Sequence, residues 1–335
     1  MIKKNKFLIT GGTGSFGKSM LTYLIKNNAK EIRILSRDEK KQENMRLGIN
    51  DNRVKFILGD VRDSSSIEKA FDDVDYVFHA AALKQVPSCE FYPLEAIKTN
   101  IIGTDNVISC ALNNRVKSLV LLSTDKSVYP VNAMGMTKAL AEKLILSKLN
   151  NIENKQTKLC ITRYGNVMGS RGSVIPLFID QIKRKKNITV TDLSMTRFLM
   201  SLDESIELVI KAFKDGNTGD IFVKKAPSVT IKTLVNALLD IFNSNSKIKI
   251  IGTRHGEKLY ETLVSREELT RAKESDSYFC IKADSRTINY DTYFIKGSKS
   301  ISKSDDYNSH NTNQLSKEQT KKILMKMDFV KKELK

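Results

Sequence analysis

Ile9-Thr10-Gly11-Gly12-Thr13-Gly14-Ser15-Phe16-Gly17-Lys18-Ser19 decides the fold, because this stretch follows a short apolar strand and opens a helix. Two phosphate-binding patterns overlap in it. Gly12 to Ser19 fits G-x-x-x-x-G-K-S, in which Lys18 would reach terminal phosphates and Ser19 would hold magnesium. Gly11, Gly14 and Gly17 fit the wider G-x-x-G-x-x-G spacing, whose small residues let a pyrophosphate rest on a helix N-terminus. The surroundings separate the two patterns. A nucleoside triphosphatase wants a strand that ends in a magnesium-binding acid, whereas the fourth strand here runs into His79-Ala80-Ala81-Ala82, small residues that suit a flat cofactor ring.

Outward from the loop, apolar β-rich runs at Phe7 to Thr10, Glu31 to Leu35, Val54 to Leu58, Tyr76 to His79, Ser118 to Leu122 and Leu159 to Tyr164 alternate with helix-like stretches. That alternation predicts a doubly wound parallel sheet of the α/β class. Beyond Gly172 the periodicity weakens. Helices are expected at Val174 to Lys185, Asp203 to Lys214 and Ile231 to Asn243, with short strands at Ile188 to Thr191, Ile221 to Lys224 and Ile248 to Ile251. Residues 1–172 are therefore expected to bind a dinucleotide, with some later segments returning to that domain, and 173–296 to form a smaller α/β substrate lobe. Gly297 to Asn313, rich in Ser, Asn and Lys, reads as a mobile loop before a last helix from Lys317 to Lys332.

Composition narrows the class. The 335 residues suffice for a full core. The four cysteines form no C-x-x-C pair and the three histidines are scattered, so neither a disulfide framework nor a metal site is suggested, and a reducing cytoplasm fits. No apolar run approaches membrane-spanning length, which argues against membrane insertion. The 56 basic against 38 acidic residues give a net charge of +18. The lysines are spread out, without aromatic interleaving, so a local anion site on a solvated surface is expected and not nucleic-acid binding.

The second strand ends Leu35-Ser36-Arg37, with a cation where an NAD enzyme places its ribose-binding acid; this favours the 2′-phosphate of NADP. Arg37 could equally begin an ordinary exposed charge run through Lys41. Gly59-Asp60-Val61 could flank an adenine, and an Asp there is also a common turn residue. Thr124, Asp125 and Lys126 fall at the carboxyl end of the fifth strand, where open α/β sheets bind ligands. Pro130 and Asn132 then mark a loop and an N-cap before a helix from Ala133 to Lys148. A strand-end Thr-Asp pair can also be a simple cap, and Lys126 a solvated loop residue. Lys84 reads equally as a proton shuttle, a phosphate contact or a surface residue, and His79 as a packed strand residue.

Taken in order, the glycine loop, Gly59-Asp60-Val61, His79-Ala80-Ala81-Ala82, Thr99-Asn100 and Ser123-Thr124-Asp125-Lys126 resemble the extended short-chain dehydrogenase/reductase family, which implies a Rossmann-type sheet. Within it the chain looks most like the 5-inverting UDP-N-acetylglucosamine 4,6-dehydratases of capsule, O-antigen and flagellar-sugar biosynthesis. Arg163-Tyr164-Gly165-Asn166-Val167, Thr196-Arg197-Phe198 and Thr253-Arg254-His255-Gly256-Glu257-Lys258-Leu259-Tyr260-Glu261 extend the likeness over nearly the whole chain. Tyr307-Asn308-Ser309-His310-Asn311-Thr312 resembles the UDP-N-acetyl-L-fucosamine branch. One position departs from the wider family: its Tyr-x-x-x-Lys reads Met134 to Lys138 here, and methionine cannot titrate. Capsule-type members of the subgroup carry methionine at this place.

The resemblance implies a lyase that holds NADP tightly and regenerates it each turnover, with UDP-N-acetylglucosamine as substrate and a homo-oligomer, dimer or hexamer, as the assembly. Cofactor contacts would come from Gly11, Thr13, Gly14, Ser15, Phe16 and Gly17; from Ser36, Arg37 and Lys41; from Asp60 and Val61; from Ala80, Ala81, Ala82 and Lys84; and from Thr99, Asn100, Lys138, Tyr164, Asn166 and Val167. Lys126, its pKa depressed, would take the C5 proton, Asp125 would protonate the departing C6 hydroxyl, and Thr124 would bond the C4 oxygen. Lys138 would grip the nicotinamide ribose. Lys84, Asn166, Arg171, Val174, Arg197, Arg254 and Glu257 are the substrate-binding candidates, and Arg254 with Glu257 also fits a plain ion pair. C3 epimerisation could accompany the reaction. A UDP-sugar 4-epimerase, a phosphate-loop kinase or NTPase, and a non-catalytic NADP sensor are the competing readings.

Overall fold

The computed structural model describes residues 2–148, 157–170, 172–283 and 305–334. Six strands come first: β1 (Lys6–Thr10), β2 (Glu31–Ser36), β3 (Val54–Leu58), β4 (Tyr76–His79), β5 (Ser118–Thr124) and β6 (Lys158–Tyr164). Shorter ones follow: β7 (Asn166–Val167), β8 (Ile188–Val190), β9 (Thr196–Met200), β10 (Ile221–Lys224), β11 (Ser228–Thr230), β12 (Ile248–Ile250), β13 (Thr262–Val264), β14 (Ala272–Glu274), β15 (Tyr278–Ile281) and β16 (Tyr307–Asn308).

Nine strands form one sheet in the order β14-β15-β10-β6-β5-β4-β1-β2-β3. The first six and β10 run parallel, and β15 and β14 add antiparallel edges. The order reverses between β1 and β4, so the crevice above their carboxyl ends is where this topology places a ligand. The buried runs of β1, β4 and β5 are apolar because helices cover both faces. On one face the helix Leu202–Asp215, opened by a Ser201/Glu204 capping box, lays Phe213 against Phe7 and Tyr76, with ring centroids 6.1 and 4.5 Å apart. Thus β10, β14, β15 and this helix, all from the later half, complete the dinucleotide fold. The smaller lobe gathers Ile175, Phe178, Val235, Leu238 and Leu324 from the helices Val174–Lys183, Ile231–Ile241 and Lys317–Lys326 into its own core.

Two expectations are corrected. The last helix is two, Lys317–Lys326 and Asp328–Leu334, because Met327 turns extended (ψ 124°) and packs into the small lobe. The expected mobile loop falls partly on 297–304, outside the described residues, but 305–313 is held in place. Tyr307 stacks between Phe198 and Phe279, and its hydroxyl donates to the Ala226 carbonyl at 3.2 Å. Ser309 is wholly buried, and β16 pairs with β13. Polar composition suggests solvation, yet these hydroxyls find buried acceptors across the fold.

Candidate active site

The glycine loop fits a dinucleotide by sterics. Gly11 has φ +64°, and a Cβ there would lie 2.7 Å from the Ala81 backbone, so only glycine lets the loop rest on the Ala80–Ala82 segment. The helix Ser15–Lys26 has Gly14 as N-cap, with no side-chain cap and no acid in its first turn. Its first amides therefore suit a pyrophosphate. Ser15 and Phe16 begin that helix, and Gly17 packs against the Gly12 backbone. The phosphate-loop reading fails here: the Gly14 amide bonds the Gly11 carbonyl at 2.9 Å, the helix starts at Ser15, and Lys18 lies exposed further along it.

At the end of β2, Thr13 Oγ1 and Ser36 Oγ are 3.0 Å apart, and Ser36 Oγ accepts from the Asp38 amide at 3.2 Å. Asp38 caps the helix Glu39–Leu47 and pairs with the Lys41 ammonium. Arg37 is half exposed and 3.5 Å from Asp60, whose carboxylate also chelates Arg62. Burial works against ionisation of Asp60, but these guanidiniums hold its pKa below the usual carboxylate value. Buried Val61 contacts Gly103, where a Cβ would meet its Cγ2 at 2.8 Å.

His79 is a structural pivot. Thr104 Oγ1 donates to the Asn100 carbonyl at 2.7 Å, so His79 Nε2–H donates to Thr104 at 3.0 Å and Nδ1 accepts from Thr10 Oγ1 at 2.7 Å. Burial lowers the imidazole pKa to about 3, aided by the nearby Lys138 charge, so the ring is neutral. Asn100 spends its side chain on the loop: Oδ1 accepts from the Leu83 amide at 2.8 Å, and Nδ2 donates to the Leu83 carbonyl and to Thr137 Oγ1, both at 3.0 Å. Asn100 thus holds the segment after Ala82 from behind; it lies with buried Thr99 in a π-helical turn, Ile97–Ile102, a distortion common at functional sites. Lys84 is exposed in that segment.

The candidate reactive cluster sits at the end of β5. Thr124 caps a 3₁₀ turn, Asp125–Ser127, and its Oγ1 donates to Asp125 Oδ1 at 2.9 Å. Lys126 Nζ donates to the same oxygen at 3.0 Å and to Asn166 Oδ1 at 3.4 Å. A third contact is with a residue that sequence reasoning did not assign: Glu261 Oε1, 3.2 Å away, on a carboxylate only 3 % exposed. Burial alone would push the Lys126 pKa down; Asp125 and Glu261 outweigh it and raise the value, against the expected depression. The lysine rests as an ammonium. Its neighbour Lys258 shifts the other way, burial prevailing over the attraction of Glu261 and Asp125, and donates to the Val128 carbonyl at 2.7 Å.

Lys138 is buried on the helix Ala133–Ser147, where desolvation, offset in part by Glu142, lowers its pKa to about 8. Met134, at the tyrosine position, packs with Cys89 and Ala96. Asn132 caps this helix through the Gly135 amide at 2.8 Å and also donates to the Gly256 carbonyl at 2.8 Å, tying the 252–261 segment to the site. Gly165 presses on Asp125: a Cβ there would lie 3.2 Å from Oδ2 and 2.6 Å from Phe198 Cβ. Burial raises the Tyr164 pKa, so it offers a neutral phenol, and Val167 continues from it in β7.

The substrate candidates divide. Arg197 gives its donors to the backbone carbonyls of Thr196, Lys258 and Leu259 at 2.8, 2.9 and 3.3 Å, which makes it a clamp on the segment carrying Glu261. Arg254 is half exposed and 3.7 Å from Glu257, an ion pair of small energetic weight. Val174 begins the helix Val174–Lys183, against the small-lobe core. Arg171 lies outside the described residues. Lys258 and Glu261 escaped sequence reading although their motif was visible; their spacing of three was the available signal.

A glycine loop resting on the Ala80–Ala82 backbone, beside a buried lysine–carboxylate cluster at the carboxyl ends of a parallel sheet, defines an α/β protein of Rossmann-type architecture. The chain belongs to the polysaccharide biosynthesis protein family, whose model matches residues 7–283 and whose C-terminal model matches 284–331. It is 56 % identical over 339 residues to a protein of Rickettsia rickettsii (strain Sheila Smith) named UDP-glucose 4-epimerase, covering 100 % of this chain and 99 % of that one. Among solved structures, Pen from Bacillus thuringiensis is 37 % identical with a TM-score of 0.89, over 98 % of this chain and 99 % of that one. DesIV from Streptomyces venezuelae, a dTDP-glucose 4,6-dehydratase with NAD and TYD bound, shares the fold at 21 % identity and a TM-score of 0.69, over 76 % and 86 % of the chains. Among the described residues no helix is long and apolar enough to cross a membrane.

Proposed function

We propose that this chain is an NADP-dependent 4,6-dehydratase of UDP-N-acetylglucosamine that inverts C5 and yields a UDP-4-keto-6-deoxy-L-hexosamine for surface polysaccharide. The observation that carries this reading is Lys126 held between Asp125 and Glu261 at the end of β5, with Met134 where an acid–base tyrosine would stand. A reaction confined to O4 needs one proton-handling group; one that also breaks C5–H and C6–O needs several, and the site has them. Thr13 and Ser36 meet at the end of β2, and Arg37 and Lys41, paired with Asp60 and Asp38, supply cations nearby, which supports NADP over NAD.

A nicotinamide dinucleotide in this crevice supplies the hydride acceptor and donor that transient oxidation at C4 and reduction at C6 require. The chain supplies the rest. Lys138 meets the ribose, Thr124 bonds the C4 oxygen, and Lys126, once it has given up its resting proton, takes the C5 hydrogen that a C4 ketone acidifies. The proton that leaves O4 passes through the Thr124 hydroxyl to Asp125, 2.9 Å away, and Asp125 delivers it to the C6 hydroxyl, which leaves as water; a proton from solvent returned to the opposite face of C5 inverts that centre. We assign the enzyme to the cytoplasm and to a homo-oligomer, without nucleic-acid partners.

The relative named UDP-glucose 4-epimerase favours a second reading, 4-epimerisation of a UDP-sugar. Incubation with UDP-N-acetylglucosamine and with UDP-glucose in deuterium oxide, followed by mass and NMR analysis, separates the two. Dehydration is expected to give a product one water lighter, with deuterium at C5 and no NADPH accumulating. A C4 epimer of unchanged composition rejects the dehydratase reading; bound cofactor with no substrate chemistry rejects both and leaves a cofactor sensor.

A further inference from the structure

We propose that Glu261 is the proton acceptor that turns Lys126 from ammonium to amine, so that a carboxylate from the later half of the chain completes a centre otherwise built on β5. This rests on the dehydratase reading and deepens it.

Lys126 bonded to two carboxylates holds its proton too firmly to serve as a base until one of them accepts it. The partners of each carboxylate choose between them. Asp125 Oδ1 already receives two donors, from Thr124 at 2.9 Å and Lys126 at 3.0 Å; its Oδ2, like Glu261 Oε2, is buried without a hydrogen bond, but it lies beneath Gly165, and Asp125 is already committed to the proton bound for the C6 hydroxyl. Glu261 Oε1 has Lys126 at 3.2 Å and Arg197 only at 4.0 Å. Its other oxygen, Oε2, is buried without a hydrogen bond, and Lys258 Nζ stands 3.9 Å away. A buried carboxylate oxygen left unpaired is costly, and a proton lowers that cost.

The Glu261 backbone is fixed independently. Its amide donates to Ser309 Oγ at 3.0 Å, and its carbonyl accepts from the Ser309 amide at 2.9 Å. Arg197 clamps the preceding carbonyls of Lys258 and Leu259. The side chain therefore reaches Lys126 from a pinned position. In the step itself, one N–H bond of Lys126 breaks, its electron pair stays on nitrogen, and an O–H bond forms on Glu261. The lone pair then accepts the C5 proton. Lys126 keeps the C5 proton and is an ammonium again, and Glu261 releases its proton to the solvent that reprotonated C5 from the opposite face, so no co-reactant is consumed. The charged groups that face Lys126 are Asp125 from its own turn, Glu261 and Lys258 from the 252–261 segment, and Arg197 from β9. Glu261 is thus a positioning residue that acts through Lys126.

The test uses the NADP-loaded enzyme with Glu261→Gln and Glu261→Asp. The Lys126 ammonium is titrated by NMR of ¹³C-labelled lysines, its signal assigned with Lys126→Arg. The expectation for Glu261→Gln is a Lys126 pKa lowered by about one unit or more. With it, kcat and C5 deuterium incorporation should fall about 100-fold or more, KM should stay within a few-fold, and Glu261→Asp should restore part of the rate. An unmoved Lys126 titration, an undiminished kcat, or a loss confined to KM overturns the inference. If the wild type forms no 4-keto sugar, the dehydratase reading falls by itself, while the Lys126 titration still decides whether Glu261 governs that proton.

Discussion

Three buried bases show that burial alone does not set charge. Desolvation pushes His79, Lys138 and Lys126 all toward neutrality: His79 falls to about 3, Lys138 to about 8, and only Lys126, between two carboxylates, ends above its ordinary value. His79 carries a stability consequence. Its folded pKa of about 3 lies below the ordinary 6.5, so the unfolded chain takes up the proton first as the solution is acidified. Its neutral burial costs nothing extra above pH 6.5; below it, stability should fall by about 1.4 kcal/mol per pH unit down to about pH 3. Denaturation midpoints at pH 7.5 and 5.5 check this: His79→Gln should lose that part of the slope, and an identical slope in wild type and variant would refute the assignment.

Elements are placed by close backbone approaches. The strand β1, the glycine loop and the Ala80–Ala82 wall meet at Gly11, where φ is +64° and the Ala81 backbone leaves no room for a Cβ. Gly11→Ala should therefore cost about 1–3 kcal/mol in chemical denaturation and weaken binding of a reduced nicotinamide dinucleotide, read from the fluorescence of its own ring. Wild-type affinity in that variant would mean that the loop does not cradle the cofactor. The segment 305–313 makes the complementary point. Its Asp, Asn, Ser and Thr content reads as a solvated loop, and its order comes from partners distant in the chain: Thr196, Ala226 and Glu261.

At the scale of the molecule, Arg163 joins the halves. Its guanidinium on β6 is buried between Glu142 of the helix Ala133–Ser147, at 2.6 Å, and Glu268 of the helix Arg266–Leu269, at 2.8 Å, and it also donates to the Leu263 carbonyl at 2.9 Å. Burial opposes its charge, but the two carboxylates raise its pKa and lock it on. Arg163→Met strands both acids in the interior, which should cost about 3–5 kcal/mol in urea unfolding. A loss below about 1 kcal/mol, the size of an exposed pair, would show that the halves are joined by other means.

The sequence by itself determined the parallel sheet, its strand limits to within a residue or two, the dinucleotide loop and the Thr124-Asp125-Lys126 turn. Each of these rests on a local rule: apolar periodicity, the space a Cβ would need, or the cap an Asn supplies. Only the tertiary structure decided that β10, β14 and β15 complete the first domain, that Arg197 clamps backbone, and that Lys126 rests charged. Those outcomes depend on distance through space. Glu261 reaches Lys126 because β16 pairs with β13 and Ser309 pins the chain beside it, and no periodicity or spacing in the sequence records that meeting.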